Sequence, residues 1–284
     1  MKITALMENQ APEGLLCEHG LCVHIEYNGK NYLLDTGSSD DFTENAKILG
    51  IDLSKVDMGF LSHAHYDHSG GYEGFFALND HAAVYLQSAA KDAFYFKIAG
   101  PLKKNIGIPE GILEKYADRF CYVEGNKQLD EGIFLLSHHT PNLEKRGEKA
   151  HMYRSSRDKL TVDDFSHEQS IVFETQEGLV VFNSCCHGGV ENIIEEVKTA
   201  FPGKEILSII GGFHLMGITG VESCAFSEKE IYSLGKLLDR SGVKSFYTGH
   251  CTGRPAFAML KEELPEKLEY FMTGTVLEFA ESAS

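Results

Sequence analysis

The sequence predicts an α/β (α+β) protein of mixed β-sheets flanked by helices, and three observations carry the prediction. Apolar runs of strand length alternate with helical patterns twice in the second half of the chain. Histidine, cysteine or aspartate stands directly after several of those runs, as if gathered at one end of the strands. The 284 residues suffice for one full core, so a single domain over 1–284 is expected.

In chain order, Lys2–Met7 and Leu21–Tyr27 have strand character, and Asn28-Gly29 is a hairpin turn into a strand over Asn31–Asp35. A short helix is expected over Phe42–Leu49 with Gly50 closing it, then a buried strand over Val56–Ser62. Gly74–Leu78 suggests a helical turn and Ala82–Leu86 a further strand. Segment 88–166 is the least regular: glycine, proline, mixed charge and recurrent aromatics punctuate it, and its length predicts a lid or specificity insertion. Order returns with strands over 167–174 and 178–184 joined at Glu177-Gly178, and a helix over Val190–Phe201 with Val190, Ile193, Ile194 and Val197 on one face. Glu205–Gly212 is a central strand. Ser227-Glu228-Lys229-Glu230 is a capping box opening a helix that ends near Gly242; a strand over Lys244–Thr248, a helix from Pro255 and a strand around Thr275–Phe279 complete the pattern.

The chemistry concentrates in Leu61-Ser62-His63-Ala64-His65-Tyr66-Asp67-His68-Ser69-Gly70-Gly71. Three imidazoles and a carboxylate fall within six residues, just after a strand and before a double glycine expected to force a turn. From such a loop His63 and His65 can meet one metal while Asp67 and His68 turn to a second. Imidazole and carboxylate suit divalent zinc first, with iron or manganese as alternatives.

Composition narrows the partners. A net charge of −16 argues against a nucleic-acid backbone, which clustered Lys and Arg would bind. Residues 91–160 are the exception, holding 13 of the 26 Lys and Arg but 10 of the 42 Asp and Glu, which suits a basic lid collecting a small anionic substrate. Seven cysteines without framework spacing suit free thiols in a reducing compartment. No apolar run of about 18 residues occurs, and the N-terminus reaches Glu8 too soon for a secretory signal. A cytoplasmic protein without membrane partners is expected, and a homo-oligomer is compatible with the sequence.

The motif resembles that of the metallo-β-lactamase superfamily. Glu18-His19-Gly20, Leu34-Asp35-Thr36-Gly37, the histidine loop, His167-Glu168-Gln169-Ser170, Gly211-Gly212-Phe213-His214-Leu215 and Gly249-His250-Cys251-Thr252-Gly253 together resemble its subgroup of methanopterin-biosynthesis type, the 7,8-dihydropterin-6-yl-methyl-4-(β-D-ribofuranosyl)aminobenzene 5′-phosphate synthases. The resemblance spans about residues 2–280. It implies a four-layer αββα sandwich with one or two divalent ions at one edge. It also implies His63, His65 and His167 around the first ion, Asp67, His68 and His250 around the second, and Asp35 as support behind the loop. His138, His139 and His151 compete with His167. Where many relatives place a bridging aspartate, this chain has Cys185, with His187 two residues on. Either the thiolate coordinates, or His187 does and Cys185 packs. His214 is expected to donate a proton or contact substrate, and Glu18 and His19 to close over the same edge.

Three functions compete. The first is a hydrolase of a small phosphorylated or ester substrate, using metal-bound hydroxide with Asp67 orienting it and His187 or His214 as proton donor. The second is a pterin-pathway transferase that condenses a dihydropterin-methyl diphosphate with a ribofuranosyl-aminobenzene phosphate. The third is a metal-binding or redox protein in which Cys185, Cys186 and Cys251 tune iron.

Overall fold

The computed structural model describes residues 1–99, 102–157 and 159–280. Two seven-stranded sheets organise it, and they are built alike. In the first, Val276–Glu278, Lys2–Met7, Cys22–Tyr27 and Lys30–Leu34 run antiparallel, and Met58–Phe60, Ala83–Gln87 and Phe120–Val123 continue it in parallel. In the second, Lys127–Asp130, Ile133–Ser137, Gln169–Glu174 and Leu179–Phe182 are antiparallel, and Ile206–Ile210, Ser245–Thr248 and Leu268–Tyr270 follow in parallel. Parallel pairs need crossover helices, and these lie on the outer faces.

Strand periodicity fixes which side chains meet. Along Gln169–Glu174, Ile171 and Phe173 face the first sheet, where they join Ile3, Ile25, Tyr32 and Phe60, while Val172 faces the helix layer with Val190, Ile193 and Val197. Phe173 stands edge-on to Tyr27, Tyr32, Phe60 and Phe182 at centroid distances of 5.2, 5.6, 6.2 and 5.8 Å. The layers are thus helices, sheet, sheet, helices, in the order the resemblance implies.

Most predicted elements are present within a residue or two. Asn28 and Gly29 both take positive φ in their hairpin turn, Phe42–Ile48 and Val190–Ala200 are helical, and Ser227 and Glu230 form the reciprocal capping box of Glu228–Arg240. Segment 88–166 is more regular than its composition suggests; residues 100, 101 and 158 of it lie outside the described residues. Three of its strands belong to the two main sheets. Ala93–Ala99, Leu102–Asn105, Met152–Ser156 and Lys159–Val162 form a separate four-stranded sheet. Its central pairing sets Met152 against Phe96, partners too far apart in sequence for local periodicity to betray them. Leu268–Tyr270 and the hairpin of Met216–Gly217 with Gly220–Cys224 are further elements that sequence patterns did not mark.

Candidate metal centre

The histidine loop follows Met58–Phe60 and is held from behind by Asp35. That carboxylate accepts from the Ser62 amide (2.7 Å), the Ser62 hydroxyl (2.8 Å) and His68 Nδ1 (2.7 Å). Fixing the proton on Nδ1 turns the His68 Nε2 lone pair into the site. Gly70 and Gly71 are needed for space rather than for an unusual turn. Their φ values, −68° and −91°, are ordinary, but a Cβ on Gly70 would lie 2.1 Å from the Ser38 carbonyl oxygen and one on Gly71 2.3 Å from that of Ser39.

Strand ends of the second sheet bring the remaining groups. Cys185 and His187 follow Leu179–Phe182, His214 follows Ile206–Ile210, and His250 follows Ser245–Thr248. Asp67 Oδ2 lies 3.6 Å from His68 Nε2 and 3.3 Å from His250 Nε2, and those two nitrogens are 3.2 Å apart. Cys185 Sγ is 3.3 Å from His68 Nε2. Ligands at roughly 2.1 Å from one tetrahedral ion stand about 3.4 Å apart, so these spacings fit a common ion. A second cluster lies beside it. The His187 ring centroid is 4.9 Å from that of His63 and 4.8 Å from that of His65. Nε2 of His63, Nε2 of His65 and both ring nitrogens of His187 are buried without a hydrogen-bond partner. Buried, unpartnered imidazole nitrogens converging from two segments are what a divalent ion would satisfy. Cys185 belongs to both clusters, with ligand atoms within 4.8 Å of one another in each, and so stands where a bridging group would.

His167 lies beside His65 and makes two hydrogen bonds of its own. Its Nδ1 accepts the Ala64 amide proton at 3.0 Å and its Nε2 faces Asp163 Oδ2 at 3.1 Å, so both nitrogens are engaged. His65, Asp163 and His167 are close enough to be a ligand group, but a ring already bonded on both sides has no lone pair to offer. Both ring nitrogens of His187, by contrast, are unpartnered. His138 is engaged too, between Glu168 (2.5 Å) and Glu196 (2.9 Å), while Glu168 also accepts the amides of His187 (2.9 Å) and Gly188 (3.0 Å). This buried network pins the His187 loop to its helix.

Burial, reinforced by neighbouring histidines, holds His63 and His187 well below the usual imidazole range and His65 at about 3. All three are therefore neutral and able to donate a lone pair. His68 is the exception: burial opposes its charge, yet Asp67 and Asp35 push it up to about 9, so an ion at its Nε2 would have to displace a proton. Asp67 stays well below the carboxylate range despite burial because His68, His19 and His250 surround it. Burial and the Cys251 contact at 3.4 Å push the Cys185 thiol well up, so its thiolate form needs a cation beside it.

A cavity of about 1020 Å³ opens onto the cluster, with His65, Asp67, Cys185, His187 and His214 at its floor. The four-stranded sheet and the helix Glu144–Lys149 supply Phe96, Lys104, Lys145, Lys149 and Met152 to its wall, and the Met216–Cys224 hairpin supplies Ile218 and Val221. His214 has φ of 50° and its Nδ1 is unpartnered; its ring is 4.1 Å from that of His187. Asp163, Asn9 and Glu8, which support site groups, carried no sequence signal, because they sit outside any motif and act through contacts made only on folding.

The metallo-beta-lactamase superfamily model matches residues 16–144. A 7,8-dihydropterin-6-methyl-4-(beta-D-ribofuranosyl)-aminobenzene-5'-phosphate synthase of Methanocaldococcus jannaschii is 29% identical over 278 residues, covering 92% of this chain and 90% of its own. The crystal structure of Tm1679, described as a metal-dependent hydrolase of the beta-lactamase superfamily, superposes with a TM-score of 0.83 at 29% identity over 99% of this chain and 100% of that one. A diphosphatase of the PhnP family shares the fold, at a TM-score of 0.56 and 15% identity over 100% of this chain and 99% of that one. Fold and motifs thus give an enzyme with the metallo-β-lactamase fold, whose residues 16–144 match the superfamily model. Within it, the resemblance to the methanopterin-type synthase subgroup extends over nearly the whole chain. Among the described residues, no helix is long and apolar enough to cross a membrane.

Proposed function

We propose that the chain is a metal-dependent hydrolase of a small anionic phosphoester or ester. His63, His65 and His187 would hold one divalent ion, Asp67, His68 and His250 the other, and Cys185 would stand between them. Bound there, the ions supply Lewis acidity that lowers the pKa of water and offsets charge on the attacked centre. The carrying observation is the cavity: it is lined by His65, Asp67, Cys185 and His187 of this cluster together with Lys104, Lys145 and Lys149. These lysines draw in and orient the anion, and Phe96, Phe165, Met152 and Phe226 exclude water around its apolar part. Asp67 is fixed by its three histidine neighbours on the cavity floor. His214, with Nδ1 unpartnered beside His187, donates a proton to the leaving group. The four-stranded sheet, as the cavity's cover, sets which substrates fit.

A second reading, the pterin-pathway transferase, draws on the 29% identity over 92% of the chain and on a cavity roomy enough for two reactants. In it the same wall holds the phosphate of one reactant and the same floor the diphosphate of the other. The deciding experiment incubates zinc-, iron- or manganese-loaded protein with a phosphomonoester and phosphodiester panel. In parallel it receives a dihydropterin-methyl diphosphate with a ribofuranosyl-aminobenzene phosphate. Ester turnover lost in His214→Ala supports the hydrolase. Condensation without ester turnover replaces it by the transferase.

A further inference from the structure

The turn Glu18-His19-Gly20 has no part in the six ligands and Cys185, yet the fold builds it onto them. The Glu18 carboxylate accepts the amides of Ser38 (2.8 Å) and Ser39 (3.1 Å) and the Ser39 hydroxyl (2.7 Å), and Ser38 donates its hydroxyl proton to the His19 carbonyl. The Leu21 amide donates to the carbonyl of Asp67 itself at 3.2 Å. Gly20 lets the two segments touch, since a Cβ there would lie 2.8 Å from that same carbonyl oxygen. The result places the His19 ring over the second ion position, stacked on His250 at 4.9 Å and 24°, with Nε2 3.3 Å from Asp67 Oδ2.

One amide decides what each of these rings can do. Asn9 Oδ1 faces His250 Nδ1 at 2.9 Å, so it accepts that proton and leaves the His250 Nε2 lone pair free for an ion. The other end of the amide, Nδ2, faces His19 Nδ1 at 3.4 Å. An amide NH₂ can only donate, so His19 Nδ1 accepts and the proton of the neutral ring sits on Nε2, aimed at Asp67 Oδ2. We infer that Asn9 and His19 are positioning residues of the second metal: Asn9 sets the two imidazoles in opposite tautomers, making His250 a ligand and His19 a hydrogen-bond donor that fixes the Asp67 carboxylate. The inference rests on the two-ion reading proposed above and adds to it two residues outside the ligand set.

The test is chelator competition on protein loaded with two equivalents of cobalt(II), with the visible ligand-field band recorded throughout. His19→Ala and Asn9→Leu are expected to lose one of the two ions at roughly 10- to 100-fold lower chelator concentration, the range typical of groups supporting a metal ligand. His19→Gln keeps an N–H donor near Asp67 and is expected to recover most of the loss, with the band as in wild type. Retention of both ions by His19→Ala at the wild-type chelator concentration overturns the inference. So does failure of His19→Gln to recover together with a shifted band, which would make His19 a ligand. Wild-type protein binding fewer than two ions would instead sink the two-ion reading, a failure visible before any variant is made. His19 is 43% exposed in its side chain, and the melting temperature of each variant checks that it folds.

Discussion

The two sheets feed the site in unlike ways, although their strand orders match. The first delivers His63, His65, Asp67 and His68 from one loop, braced by the single carboxylate of Asp35. The second delivers Cys185, His187, His214 and His250 one or two at a time from separate strand ends, braced by a network in which His138, Glu168 and Glu196 are buried together. A loop that carries four donors is specified locally, and one buried carboxylate can bond both its start and its end. Donors scattered over three strand ends depend on the parallel pairing of those strands, and their support must tie different elements to each other.

Asp35 bonds Ser62 twice and His68 once, so Asp35→Ala should do the greatest damage. It leaves the Ser62 amide and His68 Nδ1 without partners in a fully buried place, a loss of about 3–5 kcal/mol in denaturant unfolding. Metal content should fall with it. A cost under about 1 kcal/mol would show that the loop is held some other way.

The brace on the second side should reveal itself through pH. His138 is buried, which opposes its charge, but Glu168 and Glu196 push it up to about 10 from an ordinary 6.5. Glu196, also opposed by burial, is brought down to about 2 from 4.5 chiefly by His138. The histidine's contribution is complete below its unfolded value and fades as pH rises from about 6.5 towards 10. The glutamate's is complete above about 4.5 and fades as pH falls towards 2. The stability gap between wild type and His138→Gln should therefore be widest between about pH 4.5 and 6.5 and narrow on both sides. A gap independent of pH would mean that the network is not ionised.

Smaller again is Gly70→Ala. The added methyl meets the Ser38 carbonyl, and relieving the overlap should cost about 1–3 kcal/mol without changing the metal ligands. Metal stoichiometry unchanged at reduced melting temperature is the expected pair of results. Loss of an ion would show that the spacing of the loop is tuned more finely than its hydrogen bonds indicate.

The same contrast explains what could be read in advance. The histidine loop was legible because its donors are contiguous and follow an apolar run, and Asp35 because its motif ends a strand. His187 and Cys185 were visible as candidates, but choosing between His187 and His167 required knowing which ring nitrogens were already bonded. Those bonds, from Ala64 and to Asp163, join segments about a hundred residues apart or lie outside any motif. Sheet strands such as Ala93–Ala99 were hidden for a similar reason: consecutive aromatics at Phe94, Tyr95 and Phe96 obscure the alternation, and the partner strand is distant.

Metals per chain test directly whether His187, rather than His167, holds the first ion. Wild type, His187→Ala and His167→Gln would be purified, loaded with zinc, freed of excess and analysed for bound metal. Two equivalents in wild type and in His167→Gln, falling to one in His187→Ala, is the predicted result. One equivalent in His167→Gln with two retained in His187→Ala would contradict it and return His167 to the ligand set.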